Sequence, residues 1–217
     1  GGGDPINPAM ASVGDTIDSR STTYDQFQPK FSITTNAGNT SYYASYGYGF
    51  RSGGFNSTGS AATTDFWLNS GNPFGLGVVG AGISVNDEFD KEVSRAFEVG
   101  FKGTYLDGRL AMNGAYFNTN VTDNQFFEFF AGPWGLLRVV TTIDELDISG
   151  YELDFKYAVT DNLKIDGAFG ITDGEIKENA HRPSTIGNDA PLAPEHTFNL
   201  GFQYDTPVTK DFDLVLR

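Results

Sequence analysis

The segment from residue 126 to 134 and Arg51 are the parts of the sequence best suited to contact a small ligand. Four phenylalanines surround one glutamate at residues 126–130, and a tryptophan follows at position 134. Aromatic rings offer large apolar surfaces, and a guanidinium can pair with an anion. We therefore predict ligand-binding roles for Arg51, Phe127, Phe129 and Trp134. For Arg51, an ion pair within the protein is an equal alternative.

Clustered acids and two histidines are the other side chains that could do chemistry. The two acidic clusters are Asn86, Asp87, Glu88 and Asp90, and Asp144, Glu145 and Asp147. Such oxygen ligands can hold Ca²⁺, but neither cluster has the spacing of a known calcium loop, so solvated loop charge is the better interpretation. His181 and His196 are too isolated to suggest a metal site or a catalytic triad. We predict no catalytic residue, no bound metal, no cofactor and no enzyme activity.

Composition excludes several further functions. Acidic residues outnumber basic residues by 28 to 14, and the resulting net charge of −14 argues against a nucleic-acid partner. The chain contains no cysteine, which excludes disulfides and thiolate chemistry. Residues 75–80 read Gly-Leu-Gly-Val-Val-Gly, but the sequence predicts neither the preceding strand nor the following helix that a dinucleotide site needs. A flexible loop is the better interpretation of that segment.

Strands must position these residues, because apolar and polar residues alternate along most of the chain. Tyr151, Leu153 and Phe155, for example, alternate with the charged residues Glu152 and Asp154. Successive side chains of a strand point to opposite faces, so each such segment has one apolar and one charged face. The same alternation predicts about eight strands, at residues 31–35, 42–50, 97–105, 110–116, 151–157, 163–172, 198–205 and 212–217.

The connections between these strands alternate in length. Tight turns rich in Asn, Asp and Gly, and one slightly longer turn, occur at residues 36–39, 106–109, 160–162 and 206–211. Long connections occur at residues 52–92, 131–136 and 178–190. This regularity favours an up-and-down meander whose two rims meet different environments. Outer-membrane barrels have this asymmetry, with short periplasmic turns and longer extracellular loops.

The apolar face of the predicted strands is expected to meet lipid. Tyr105, Tyr157 and Tyr204 stand at strand ends beside short turns, where an aromatic girdle would lie at the membrane interface. The alternative is a soluble sheet covered by a second layer, but no segment of matching size would provide that layer. We predict an all-β fold, namely an antiparallel, up-and-down transmembrane β-barrel segment of about eight strands, open and curved because the chain is truncated.

Strand parity also predicts where the aromatic segment points. Even positions carry the apolar residues Leu110, Met112 and Tyr116. Continued alternation would direct Phe127 and Phe129 into the barrel lumen, where they could contact a ligand, unless a bulge intervenes. The alternative is that these rings belong to an outer aromatic girdle around the tip of a hairpin.

Four segments resemble the β-barrel of TonB-dependent outer-membrane receptors. Residues 43–56 resemble a strand that ends in Gly-Phe-Arg before a large outer loop, and residues 97–110 resemble a hairpin of that family. Residues 149–154, which read Ser-Gly-Tyr-Glu-Leu-Asp, and residues 193–200, which begin Ala-Pro-Glu-His-Thr, are similar to two further strands. The four segments occur in the family's order and together cover most of residues 24–217.

This resemblance implies a partial barrel domain over residues 1–217, with residues 1–23 leading in and residues 52–92 forming a large extracellular loop. It implies active transport of a scarce ligand, such as siderophore-bound iron, cobalamin or an oligosaccharide, across the outer membrane of a Gram-negative bacterium. The expected partners are outer-membrane lipid, a small-molecule or metal-chelate ligand, and TonB, acting through an N-terminal plug that this chain lacks. The alternative function is an extracellular β-sheet module for glycan binding or adhesion.

Overall fold

The computed structural model describes residues 19–69, 83–132 and 135–217. An eight-stranded antiparallel sheet has the strand order β1-β2-β5-β6-β7-β8-β9-β10, and β3 and β4 form a separate two-stranded sheet. The strands are Lys30–Ala37 (β1), Thr40–Arg51 (β2), Gly54–Phe55 (β3), Glu88–Phe89 (β4), Glu92–Tyr105 (β5), Leu110–Gly132 (β6), Gly135–Ala158 (β7), Leu163–Glu178 (β8), His196–Pro207 (β9) and Asp213–Leu216 (β10). Each strand of the large sheet pairs with the next along the chain, which confirms the predicted all-β meander.

The register of the large sheet aligns the apolar residues of neighbouring strands on one face. One row across the sheet runs through Tyr42, Phe101, Gly114, Leu153, Phe169 and Phe198. The next row runs through Tyr43, Gly100, Ala115, Glu152, Gly170 and Thr197 on the opposite face. The apolar face is exposed, with Phe198 at 74% and Leu153 at 40% of their maximal accessible area. Such an extended exposed apolar surface is typical of an interaction surface and not of an ordinary solvated sheet.

Glycines give the aromatic rings of both faces room to lie flat on the sheet. A Cβ atom on Gly114 would lie 2.5 Å from the ring of Phe101 on the apolar face. A Cβ atom on Gly150 would lie 2.6 Å from the ring of Phe117 on the charged face. Glycine is therefore required at these positions by close packing within the sheet.

The tight turns occur where the sequence predicts them. Gly38 and Gly108 have φ values of +59° and +89°, the left-handed conformation that glycine adopts without strain. Arg109 joins two of these turns, because its side chain donates to the carbonyl oxygens of Ala158 and Val159 at 2.9 and 2.6 Å. The turn end of the sheet is thus held together by local hydrogen bonds.

Strands β6 and β7 are much longer than the alternation predicts. Beyond the pair Thr122–Glu145 they continue as a two-stranded hairpin to the pair Gly132–Gly135. We call this extension, residues 123–132 and 135–144, the hairpin arm. The prediction of a long connection at residues 131–136 is therefore wrong, since most of the arm is paired strand. Its β-branched residues, Val139, Val140, Thr141, Thr142 and Ile143, favour extended structure.

The alternation of faces is reversed at the base of the hairpin arm. Asp123 has a φ of +54°, and the strand pairing skips it between the pairs Thr122–Glu145 and Asn124–Ile143. Val121 and Phe126 pack in one cluster although their numbers differ by five, which would place them on opposite faces of a regular strand. Phe127 and Phe129 therefore face away from this cluster, and the direct continuation of parity predicted from the sequence does not hold.

Two of the long connections contain short helices. The segment between β3 and β4 includes α1 (Ser60–Thr64) and a π-helical turn at Asp65–Asn69, and the segment between β8 and β9 includes a 3₁₀ turn at Pro183–Thr185. Across the three described ranges, no helix has the length and apolar character needed to span a bilayer. The glycine-rich segment 75–80 lies outside the described residues.

Candidate functional site

The segment that connects β2 to β5 is fastened to the hairpin arm by the side chain of Asn56. Its amide nitrogen donates to the carbonyl oxygens of Asn86 and Val140, at 2.7 and 2.9 Å. Its amide oxygen accepts from the backbone N–H of Val140 at 2.7 Å. The arm extends beyond β8, and here an asparagine side chain replaces the backbone of a neighbouring strand. Asn56 is 6% exposed, so these bonds are protected from water.

The same segment is held together by Asp87 and Arg20. The carboxylate of Asp87 accepts from the backbone N–H groups of Gly59 and Ala61, at 2.8 and 2.9 Å. The guanidinium of Arg20 donates to the carbonyl oxygens of Asn56 and Asp87, at 2.6 and 3.1 Å. Asp87, a member of the first acidic cluster, thus has a structural role in shaping the connection.

An acidic cavity of about 130 Å³ lies between this connection and the hairpin arm. Its carboxylates come from both acidic segments and from the base of the arm, and they are Glu88, Asp90, Asp123 and Asp144. Burial raises the pKa of Asp123, and the negative charges of Asp90 and Asp144 raise it further. Among the residues described, no three His, Asp or Glu side chains are arranged to hold a metal ion. The arrangement creates a negative potential that disfavours anions near the arm.

A second cavity, of about 210 Å³, lies between the hairpin arm and the connection from β8 to β9. We call it the mixed cavity, because apolar residues and an ion pair both line it. Phe126, Ile143 and Ile176 supply apolar surface. Arg182 forms an ion pair with Glu128, with 2.7 Å between the guanidinium nitrogen and Oε1. Such a combination suits a ligand group that has both an apolar part and a polar end.

The connection that closes the mixed cavity is folded along the edge of β8. The N–H of Gly187 donates to the carbonyl of Ile176 at 2.9 Å, and the N–H of Ile176 donates to the carbonyl of Asn188 at 2.9 Å. Asn179 accepts from the backbone N–H of Arg182 through its side-chain oxygen at 3.0 Å. These hydrogen bonds within the protein fix the backbone that carries Arg182. This wall of the mixed cavity is therefore held in place by the protein itself.

Of the predicted ligand residues that the structure describes, Arg51, Phe127 and Phe129, none lines either cavity. Arg51 forms an ion pair with Glu92, the first residue of β5. An ion pair within the protein was the alternative to ligand binding that the sequence left open for Arg51. Phe127 lies under the guanidinium of Arg138, 4.0 Å from it, and Phe129 is 60% exposed. Trp134 lies outside the described residues. Contact of these four residues with a ligand stays a prediction.

Sequence reasoning missed Phe126, Glu128 and Arg182. The parity of β6 predicted that Phe127 and Phe129, and not Phe126, point into the lumen, because nothing in residue type marks Asp123 as the point where the faces reverse. One signal was available in the sequence. Glu128 is the single charged residue within an otherwise aromatic run, and such a carboxylate must find a partner if the run is packed.

Known proteins with similar sequences are receptors of one family. A family model described as TonB dependent receptor-like, beta-barrel, matches residues 7–216. The catecholate siderophore receptor Fiu of Escherichia coli (strain K12) is 27% identical over 135 residues, which cover 62% of this chain and 17% of Fiu. The metal-pseudopaline receptor CntO of Pseudomonas aeruginosa (strain UCBPP-PA14) is 31% identical over 119 residues, which cover 54% of this chain and 16% of CntO. The chain thus spans less than a fifth of either relative.

Solved structures of the same kind share the fold. The ferric yersiniabactin uptake receptor FyuA from Yersinia pestis superposes with a TM-score of 0.56 and 17% sequence identity, covering 87% of this chain and 24% of FyuA. At this identity the likeness concerns the fold alone. Together with the match of the family model to nearly the whole chain, the antiparallel meander shows that this chain belongs to the TonB-dependent receptor-like β-barrel family.

Proposed function

We propose that this chain forms part of an outer-membrane receptor that takes up a metal chelate of the siderophore type, driven by TonB. The observation that carries the proposal is the division of the sheet into two faces. One face presents exposed aromatic and aliphatic side chains, and the other carries charged residues. A barrel wall needs this division, because lipid lies outside and water lies inside.

We place the ligand at the rim of the barrel that carries the hairpin arm. There residues 84–90 line the acidic cavity and residues 179–191 line the mixed cavity, each together with residues of the arm. Loops held by a rigid sheet are where binding residues concentrate. We place this rim on the extracellular side, with residues 52–92 as a large extracellular loop and the tight turns in the periplasm.

The printed names of similar proteins favour a metal chelate over cobalamin or an oligosaccharide. Fiu is named a catecholate siderophore receptor, CntO a metal-pseudopaline receptor, and FyuA a ferric yersiniabactin uptake receptor. The first name refers to a siderophore, and the other two refer to a metal or ferric chelate. The partners of the protein would then be outer-membrane lipid, the chelate, and TonB acting through a plug domain. The role is transport without catalysis.

Uptake of radiolabelled iron in the native bacterium tests this function. A strain without the gene, the same strain with the gene restored, and a strain without TonB would each receive ferric catecholate, hydroxamate and carboxylate chelators. We expect uptake of at least one complex only when both the gene and TonB are present. Uptake that continues without TonB would contradict the energised mechanism. A loss of surface attachment with normal uptake of every complex would instead favour the adhesion module.

A further inference from the structure

We propose that the apolar face of the sheet holds one phosphate-bearing membrane lipid, with a hydrocarbon chain in a groove around Gly114 and the phosphate group at Arg95. This inference rests on the proposed function in one respect, because it requires the apolar face to meet lipid. It adds a defined site to that face. Neither Gly114 nor Arg95 was predicted from the sequence as a ligand-binding residue.

A groove of about 420 Å³ lies on the apolar face where β6 carries a glycine. Gly114 has no side chain, so the bulky side chains of its neighbours stand around a depression. Aromatic and aliphatic residues of five strands line it, among them Tyr42, Val99, Phe101, Tyr116, Leu153 and Phe169. The lining is almost entirely apolar, so it stabilises a hydrocarbon chain by burial and offers few partners to a polar ligand.

Arg95 marks the boundary of the apolar face on the side of the hairpin arm. Along β5 the apolar face carries Tyr105, Phe101, Val99 and Phe97, and the next position on this face is Arg95. Arg95 lies ten positions (105 − 95) from Tyr105, which is roughly 33 Å along a strand. At a strand tilt of about 40° this corresponds to roughly 25 Å of height, which is the height of the apolar band of an outer-membrane barrel. Arg95 therefore lies at the level of the lipid headgroups.

The side of Arg95 that faces β2 suits a phosphate group. Arg95 is exposed, and it forms no ion pair within the ranges that the structure describes. Tyr48 lies opposite Arg95 on β2, and its hydroxyl lies 3.3 Å from the hydroxyl of Tyr46. Tyrosine is favoured at a membrane interface because its ring is apolar and its hydroxyl is polar. A guanidinium binds phosphate through parallel N–H donors, so Arg95 provides the charge that the headgroup needs.

The side of Arg95 that faces β7 disfavours a phosphate group. Asn120 lies opposite Arg95 on β6, and its amide donates to Glu145 and Asp147 at 2.7 and 2.8 Å. These two carboxylates would repel a phosphate placed above them. The headgroup is therefore expected above β2 and β5.

The distance from Arg95 to the groove fits the hydrocarbon chain of one leaflet. Val99 lines the groove and lies four positions (99 − 95) from Arg95, which is roughly 13 Å along the strand. The hydrocarbon core of a bilayer is about 30 Å thick, so the chains of one leaflet reach about 15 Å below the headgroups. A lipid with its phosphate at Arg95 would thus place a chain over Val99 and in the groove.

Binding of dioleoylphosphatidylglycerol to the full-length receptor in detergent tests the inference. Native mass spectrometry counts the lipids that remain on the wild type, on Arg95→Gln and on Lys177→Gln. The last variant is the matched control, because Lys177 is a cation that already pairs with Glu175. We expect the wild type and the control to retain one tightly bound lipid more than Arg95→Gln, since this lipid should bind about tenfold more weakly without the guanidinium. Dioleoylglycerol, which has the same chains and no phosphate, should not show this difference.

A variant of the groove tests the position of the chain and keeps the test decisive if Arg95→Gln folds poorly. Val99→Phe fills the groove beside Gly114 and keeps Arg95, so this variant should lose the same lipid. Ile165→Phe adds the same bulk to the apolar face outside the groove and should retain the lipid. Retention of this lipid by folded Arg95→Gln or folded Val99→Phe would overturn the inference, as would equally tight binding of dioleoylglycerol to the wild type. The expected pattern in a protein that takes up no ferric complex would support the lipid site and reject the proposed transport function.

Discussion

At the scale of single residues, Asn56 shows how a side chain can serve as part of a sheet. Its amide matches the N–H and C=O of Val140 as a neighbouring strand would; Asn56 is buried and Val140 is half-buried. Replacement by alanine removes the partner of three backbone groups, the N–H and C=O of Val140 and the C=O of Asn86, at a cost of up to about 1–3 kcal/mol for each group that stays out of water. We expect Asn56→Ala to release residues 83–90 from the arm and to open the acidic cavity.

Hydrogen exchange at the amide of Val140 measures this release. The exchange rate should rise in Asn56→Ala and stay unchanged in Asn36→Ala, a substitution in the exposed β1–β2 hairpin. Exchange in β7 near Leu153 should not change in either variant. Unaltered protection at Val140 in Asn56→Ala would show that the connection is held to the arm by other contacts.

The reversal at Asp123 leads to a second prediction at the residue scale. Phe126 lines the mixed cavity, whereas its neighbour Phe127 packs under Arg138 on the other side of the arm. Phe126→Ala should weaken binding of the transported chelate more than Phe127→Ala does, because Phe126 forms part of the apolar wall of the mixed cavity. Equilibrium binding of the chelate to the two purified variants, compared with the wild type, measures both effects. A larger loss for Phe127→Ala would support the sequence-based prediction that Phe127 contacts the ligand.

At the scale of elements, the described parts of the connection between β2 and β5, residues 52–69 and 83–91, are packed by hydrogen bonds within the connection and to the hairpin arm. Glu88 and Asp90 line the acidic cavity. Within the described part of the connection, hydrogen bonds to the large sheet go to Val140 and Gln125 of the arm. Deletion of residues 57–90 should therefore weaken ligand uptake strongly while the barrel still inserts. Uptake assays and heat-modifiable migration of the membrane-extracted protein measure the two effects separately. Loss of insertion would show that the connection is needed for folding.

Element prediction from the sequence succeeded where residue type determines structure and failed where packing does. Alternation located the strands around Phe101, Leu153 and Phe198, and glycine and aspartate located the tight turns, because both depend on local geometry. The fold class is confirmed by the meander and by the family to which the chain belongs. The arm was missed because Asp123 breaks the period that defines a strand. The mixed cavity joins residues more than fifty positions apart, and no local pattern encodes that meeting.

At the scale of the whole molecule, the two faces of the sheet should respond oppositely to the same substitution. Leu153 lies in the apolar row, and Glu152 lies in the neighbouring row on the opposite face of the sheet. An arginine at position 153 near the middle of the bilayer should cost about 2–4 kcal/mol, because its charge would face hydrocarbon. An arginine at position 152 stays in an aqueous lumen, so Glu152→Arg should change stability far less.

Reversible unfolding of the full-length protein from lipid vesicles in urea measures both variants on one strand. Equal losses for Leu153→Arg and Glu152→Arg would mean that the apolar face does not meet lipid, and a larger loss for Glu152→Arg would place the lumen on the other side of the sheet.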